Sequence, residues 1–144
     1  MLETTQKDLS MRRFSSLRAL LLMDAVSCAG LGALLLAVPS VIANWTDIPP
    51  SLLHEAGLFL ILIATSIALI ARMELVPHRG VALVVAGNLL WVAASLLLPL
   101  LGLIAPNALG WVFLSGQAGF VTILTWLEAR ALVSAVPAGA KEAA

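Results

Sequence analysis

Residues 80–127, GVALVVAGNLLWVAASLLLPLLGLIAPNALGWVFLSGQAGFVTILTWL, run for 48 positions without one Asp, Glu, Lys or Arg. A soluble helix of ordinary length needs no such stretch. A helix that crosses a bilayer takes about 20 mostly apolar residues, so the segment holds two crossings. Pro106 and Asn107 in "LIAPNALGW" supply the turn between them. Two further apolar segments precede it. The reading is an all-α polytopic membrane protein, a bundle of four transmembrane helices. The expected spans are 17–44 (broken late by Pro39), 52–71, 81–104 (with Pro99 near its end) and 108–132. Segments 1–16 and 133–144 are then cytoplasmic ends. Barrel strands are excluded because they alternate in polarity, whereas these runs are apolar throughout.

Composition agrees. The chain has 144 residues, of which 61% are hydrophobic and 11% charged, against about 25% charged in soluble domains. Mean hydropathy is +1.05. No room is left for a second, soluble domain. A net charge of zero argues against nucleic-acid binding. Cys28 is the single cysteine, so no intrachain disulfide forms. Arg12, Arg13 and Arg18 ahead of an apolar run imitate a signal peptide, but the run is too long and Asp24 interrupts it. "AVSC" around Cys28 faintly imitates a lipoprotein cleavage site, yet too few apolar residues separate Arg18 from Asp24.

Every basic residue falls on one side of a four-pass threading. Lys7, Arg12, Arg13 and Arg18 precede span one, Arg72 and Arg79 separate spans two and three, and Arg130 and Lys141 follow span four. Basic residues in short loops mark the cytoplasmic side. Both termini are therefore expected in the cytoplasm, and the protein in the inner (plasma) membrane of a bacterium. Tyrosine is absent, so Trp must form the interfacial belt. Trp45 and Trp111 fall at the outer face and Trp126 near the inner one. Trp91 falls too deep for an anchor, and its indole N–H calls for an acceptor on a neighbouring helix.

Polar residues inside the spans are where function would show. Asp24 lies six residues past Arg18, roughly 9 Å along a helix. Ser66 (or Thr65), Asn88 and Thr125 (or Thr122) lie at similar depth in the other spans. A polar layer of Asp24, Ser66, Asn88 and Thr125 could bind a small ligand or relay a proton. It could equally be a hydrogen-bonded plug that keeps four helices in register, or Asp24 could reach the headgroups. The plug is preferred, because no second charge is expected at the depth of Asp24 and a relay needs a chain of groups. Glu128 and Arg130 are expected to be interfacial anchors. Asn88, Trp91 and Ser95 share one face of span three, pointing inward. Gln117, near mid-membrane, needs an interhelical partner. His54 is a possible ligand for a haem- or chlorophyll-type metal, but one histidine without a second motif is weak support. His78 lies at the opposite membrane face, so no metal site and no cofactor are expected.

Small residues let helices approach closely. Cys28 and Gly32 are spaced by four in "CAGLG", as are Ser115 and Gly119 in "SGQAG" and Ala64 and Ala68 in span two. They are expected to pack helices, within the bundle or against a partner.

The segments "MDAVSCAGLGALLL" (23–36), "GNLLWVAASLLL" (87–98) and "ALGWVFLSGQAGFVTILTWLE" (108–128) together resemble a group of small, uncharacterised four-helix bacterial integral membrane proteins. The likeness covers Met23 to Leu132, including the acid of span one, the Asn and Trp of span three and the final acid. It implies the topology and no assigned activity.

Nothing resembles catalytic machinery: there is no nucleophile–base pair, metal-ligand spacing or Gly-rich phosphate loop. The sequence favours a non-catalytic accessory or structural subunit, embedded in the lipid bilayer and associating through its helices with a membrane-protein partner or with copies of itself. The alternative is a small carrier or binder of a proton, an ion or a small lipophilic molecule, centred on Asp24.

Overall fold

The structure is a computed structural model that describes residues 2–73 and 76–135. Among them all regular structure is helical: α1 (Leu2–Ala37), α2 (Pro39–Thr46), α3 (Pro50–Arg72), α4 (His78–Leu100) and α5 (Ala108–Ala135). Four stretches are long and apolar enough to cross a membrane: Ser16–Ala37 in α1, all of α3, all of α4, and Ala108–Val133 in α5. The chain is a multi-pass helical membrane protein. The tail beyond residue 135 lies outside the described residues.

Proline sets most of the boundaries. Pro39 has no N–H to give to α1, and the residue before a proline is pushed out of helical geometry. Val38 accordingly sits at φ −136°, ψ 46°. The expected first span of 17–44 is therefore two helices. α1 stops at Ala37, and α2 restarts with Pro39 in its first turn, where a missing N–H costs nothing. Pro49 and Pro77 stand just ahead of α3 and α4. The expected third span to 104 ends sooner, at Leu100. There Gly102, at φ 70°, closes a Schellman motif in which Leu103 N donates to Leu98 O (3.0 Å) and Gly102 N to Pro99 O (3.1 Å). Asn107 caps α5, its Oδ1 accepting from Gly110 N at 3.0 Å. Its Nδ2 also donates to Trp45 O (2.9 Å) and its backbone N to Thr46 O (3.1 Å), which ties the start of α5 to the end of α2.

Buried positions recur at alternating steps of three and four. In α3 they are Leu53, Gly57, Leu60, Ala64, Ile67 and Ala71. In α4 they include Val81, Val84, Asn88 and Ser95. This is the 3.5-residue period of helices that cross at a shallow angle. Outside the seams, Leu22, Val26, Leu62, Leu69, Leu83, Leu90, Val112 and Ile123 stand exposed, the expected surface of a protein solvated by lipid.

The long helices form an open ring in the order α3, α1, α5, α4. α1 packs chiefly on α3 and also on α5, and α5 packs on α4, while α3 and α4 barely touch although they follow one another in the chain. α1 and α3 approach tightly at two glycines. A Cβ at Gly32 would stand 3.0 Å from Gly57 O, and one at Gly57 would stand 3.0 Å from Gly32 O. Leu17, Leu21, Ala25, Ile67, Ala71, Val81 and Val84 fill the core at the end that carries Arg18, Arg72 and Arg79. Leu35, Ile48, Leu53, Leu60 and Leu114 fill it toward the other end.

Candidate functional site

Three polar side chains from three helices meet between those two halves of the core. α1 supplies Asp24 (0% exposed), α4 supplies Asn88 (5%) and α5 supplies Glu128 (0%). The Asn88 amide donates to Asp24 Oδ2 at 2.9 Å and to Glu128 Oε2 at 3.4 Å. Cys28, one helical turn beyond Asp24, offers its thiol to Asp24 Oδ1 at 3.7 Å. The other oxygen of Glu128, Oε1, is buried and has no hydrogen-bond partner. Two carboxylates thus share one neutral donor in an apolar bundle.

Of the expected polar layer, the structure brings Asp24 and Asn88 together and places Thr125 (4% exposed) on the same buried face of α5. The Thr125 hydroxyl is spent on Val121 O at 2.8 Å, as hydroxyls in membrane helices commonly bond the preceding turn. Ser66 does not join. It is accessible on α3, borders the gap between α3 and α4, and donates to Leu62 O at 2.9 Å. The fourth member is instead Glu128, expected as an interfacial anchor. Its nearness to Arg130 suggested that role, but Arg130 turns outward, with its guanidinium 4.3 Å from the centre of the Trp126 ring. Helical spacing held the missed signal. Glu128 follows Gln117 by about three turns and so shares its inward face.

A second polar chain lies farther from the basic end. Trp91 Nε1 donates to Gln117 Oε1 at 3.0 Å, and Gln117 Nε2 to Ser95 Oγ at 3.0 Å. Asn88, Trp91 and Ser95 thus do face inward along α4, and the acceptor that Trp91 required is on α5. Trp91 also stacks on Phe59 of α3, ring centres 6.4 Å apart and planes 14° from parallel, one of the few links across the gap in the ring.

That gap is a cleft. On the Asn88 side of the Phe59–Trp91 stack it holds a cavity of about 560 Å³. Its walls are mostly apolar (Ile63, Ile67, Leu83 and Val84 among them), and its polar lining includes Cys28, Asn88 and Gln117. On the other side a cavity of about 380 Å³ continues toward Ile48 and Phe113. Gly87 borders the larger one, with no atom within 4 Å of where its Cβ would be.

The remaining expected residues divide. Cys28 and Gly32 are buried at helix contacts, whereas Ser115 and Gly119 lie on the exposed side of α5 and pack no helix of this bundle. A Cβ at Gly116 or Gly119 would meet nothing within 4 Å. His54 is exposed on α3, and the described residues contain no group of three His, Cys, Asp or Glu side chains placed to hold a metal.

Fold and site together define a multi-pass α-helical membrane protein with a buried carboxylate pair and a cleft open between two helices. No family model, curated protein or solved structure matches the chain. Function has to come from the site, since a fold alone does not imply one.

Proposed function

We propose that the protein is a non-catalytic membrane protein that binds a small lipophilic molecule in the cleft between α3 and α4. The cleft itself carries this reading. A cavity of about 560 Å³ with mostly apolar walls and Cys28, Asn88 and Gln117 among its lining has the size and makeup of a small-molecule site, mainly apolar with a few placed polar groups. Because α3 and α4 scarcely touch, such a molecule enters sideways from the bilayer. At the level of sequence, the expectation of no second charge at the depth of Asp24 favoured a structural plug over a ligand-binding or proton-relaying layer. Glu128 beside Asn88 removes that ground. Gly87→Phe tests the proposal, since Gly87 borders the cavity and a Cβ there has no atom within 4 Å. Native mass spectrometry from mild detergent should find a retained lipophilic species on the wild type and none on the folded variant. Equal occupancy of the two, or no bound species on either, refutes the assignment.

A second reading, association with a membrane-protein partner or a second copy, is supported by Ser115, Gly116 and Gly119 on the outward face of α5. Small residues there give a smooth surface that another helix can approach closely. Crosslinking from Gly119→Cys in native membranes checks it: a discrete adduct is expected, and a purely monomeric species rejects it.

A further inference from the structure

We infer that Asp24 and Glu128 form a buried proton-binding site, in which the pair carries one proton at neutral pH and Glu128 Oε1 is the oxygen that holds it. The inference is independent of what the cleft binds.

It rests on how the four carboxylate oxygens are served. Asp24 Oδ2 and Glu128 Oε2 both accept from the single nitrogen Asn88 Nδ2, at 2.9 and 3.4 Å, so the two carboxylates are close neighbours. Asp24 Oδ1 receives the Cys28 thiol at 3.7 Å. Glu128 Oε1 receives nothing, although its residue is fully buried. Two carboxylates this close do not both ionise unless a cation separates them. An ionised carboxylate without a donor is among the costliest groups to bury.

Among the described side chains, the surrounding helices place no cation on either carboxylate. On α1 the titratable groups facing it are Asp24 itself and Cys28. At the same end of the bundle Arg18 donates to Met73 O at 2.8 Å. α3 has no ionisable residue between Glu55 and Arg72. α4 contributes neutral Asn88, with His78 and Arg79 exposed at its start. On α5 Arg130 lies over Trp126, and the Thr125 hydroxyl is committed to Val121 O. Among the described residues no Lys, Arg or His bonds either carboxylate. Asp24 has two donors and keeps the negative charge; Glu128 has one long contact and a bare oxygen, and takes the proton. Protonation adds one H⁺ from the aqueous side and requires no other reactant.

Infrared spectroscopy of the full chain in phosphatidylcholine nanodiscs at neutral pH reads this out, because a protonated carboxyl group has a C=O stretch separate from the carboxylate bands. The wild type should show that stretch, and incorporation of isotope-labelled glutamate, but not labelled aspartate, should shift it. The stretch should persist in Asp24→Asn and vanish in Glu128→Gln. The labelling arm needs no substitution, so it decides the matter even if a variant does not fold. A wild-type spectrum with no protonated carboxyl, a stretch that moves with labelled aspartate, or one that disappears on adding sodium, as a bound cation would cause, each overturns the assignment.

Discussion

Asn88 is the residue on which the polar centre depends, because one amide serves carboxylates from two other helices. Hydrogen bonds to charged groups contribute about 1.5–3 kcal/mol each, and orphaned buried acceptors cost on a similar scale. Asn88→Leu should therefore destabilise the bundle by about 2–3 kcal/mol, measured by reversible unfolding in mixed micelles. Asp24→Asn keeps a polar group of the same shape and should cost less than about 1 kcal/mol, while Asp24→Leu should cost about 1–2 kcal/mol. If Asn88→Leu proves no worse than Asp24→Asn, the amide is not the organising group. The sequence disclosed Asp24 and Asn88 because a polar residue in an apolar run is conspicuous. It misplaced Glu128 and Ser66 because depth was legible and direction was not. Glu128 lies near the basic end yet turns inward, and Ser66 lies at the right depth yet lines the open cleft instead of meeting the carboxylates.

Direction is also what the helices withhold as elements. In a soluble helix the polar face points to water, but here Leu60 and Leu62 of α3 are alike in character while one is buried and the other exposed. Lipid and core are equally apolar, so the 3.5-residue seam cannot be read from hydrophobicity. Helix ends were more legible, since Pro39, Pro49, Pro77 and Asn107 act locally. Close approaches were half legible: Gly32 stood out in "CAGLG", but its partner Gly57 had no pattern to reveal it. Gly32→Leu would force α1 off α3 against backbone, as the 3.0 Å approach to Gly57 O shows. We expect about 2 kcal/mol or more of destabilisation, within the range for overpacking a tight interface, whereas Gly30→Leu, with nothing within 4 Å, should be nearly neutral. Equal effects at the two positions would show that the glycine contact does not set the crossing. At the α2–α5 corner a Cβ on Gly110 would collide with Thr46 O and Pro106 Cβ. Gly110→Ala should lower the unfolding temperature even though alanine is the better helix former, and a raised temperature would contradict the packing there.

At the scale of the whole molecule, the sequence yielded the number of crossings but not which consecutive pair stands apart. The crossings follow one another around the ring in chain order, α1 on α3 and α4 on α5 with α5 returning to α1, yet the consecutive pair α3 and α4 is splayed. The splay follows from where polar partners lie. Asn88 and Trp91 of α4 bond to α1 and α5 and draw α4 toward them, leaving the Phe59–Trp91 stack to bridge to α3. Orientation in the membrane is a separate matter, decided by charge outside the apolar zone. Arg18, Arg72 and Arg79 gather around one end of the bundle, with Arg130 near the end of α5. The opposite connections, 45–51 and 101–107, contain Asp47 and no basic residue. Basic residues near short loops are retained on the cytoplasmic side, so the Arg-rich end should face the cytoplasm. In a Cys28→Ala background, Ser51→Cys and His78→Cys place thiols at exposed positions on opposite ends. An impermeant thiol reagent added to intact cells should modify the cysteine at 51 and spare the one at 78, with both reacting after lysis. Labelling at 78 and protection at 51 would invert the topology, and with it the side from which a proton reaches Glu128.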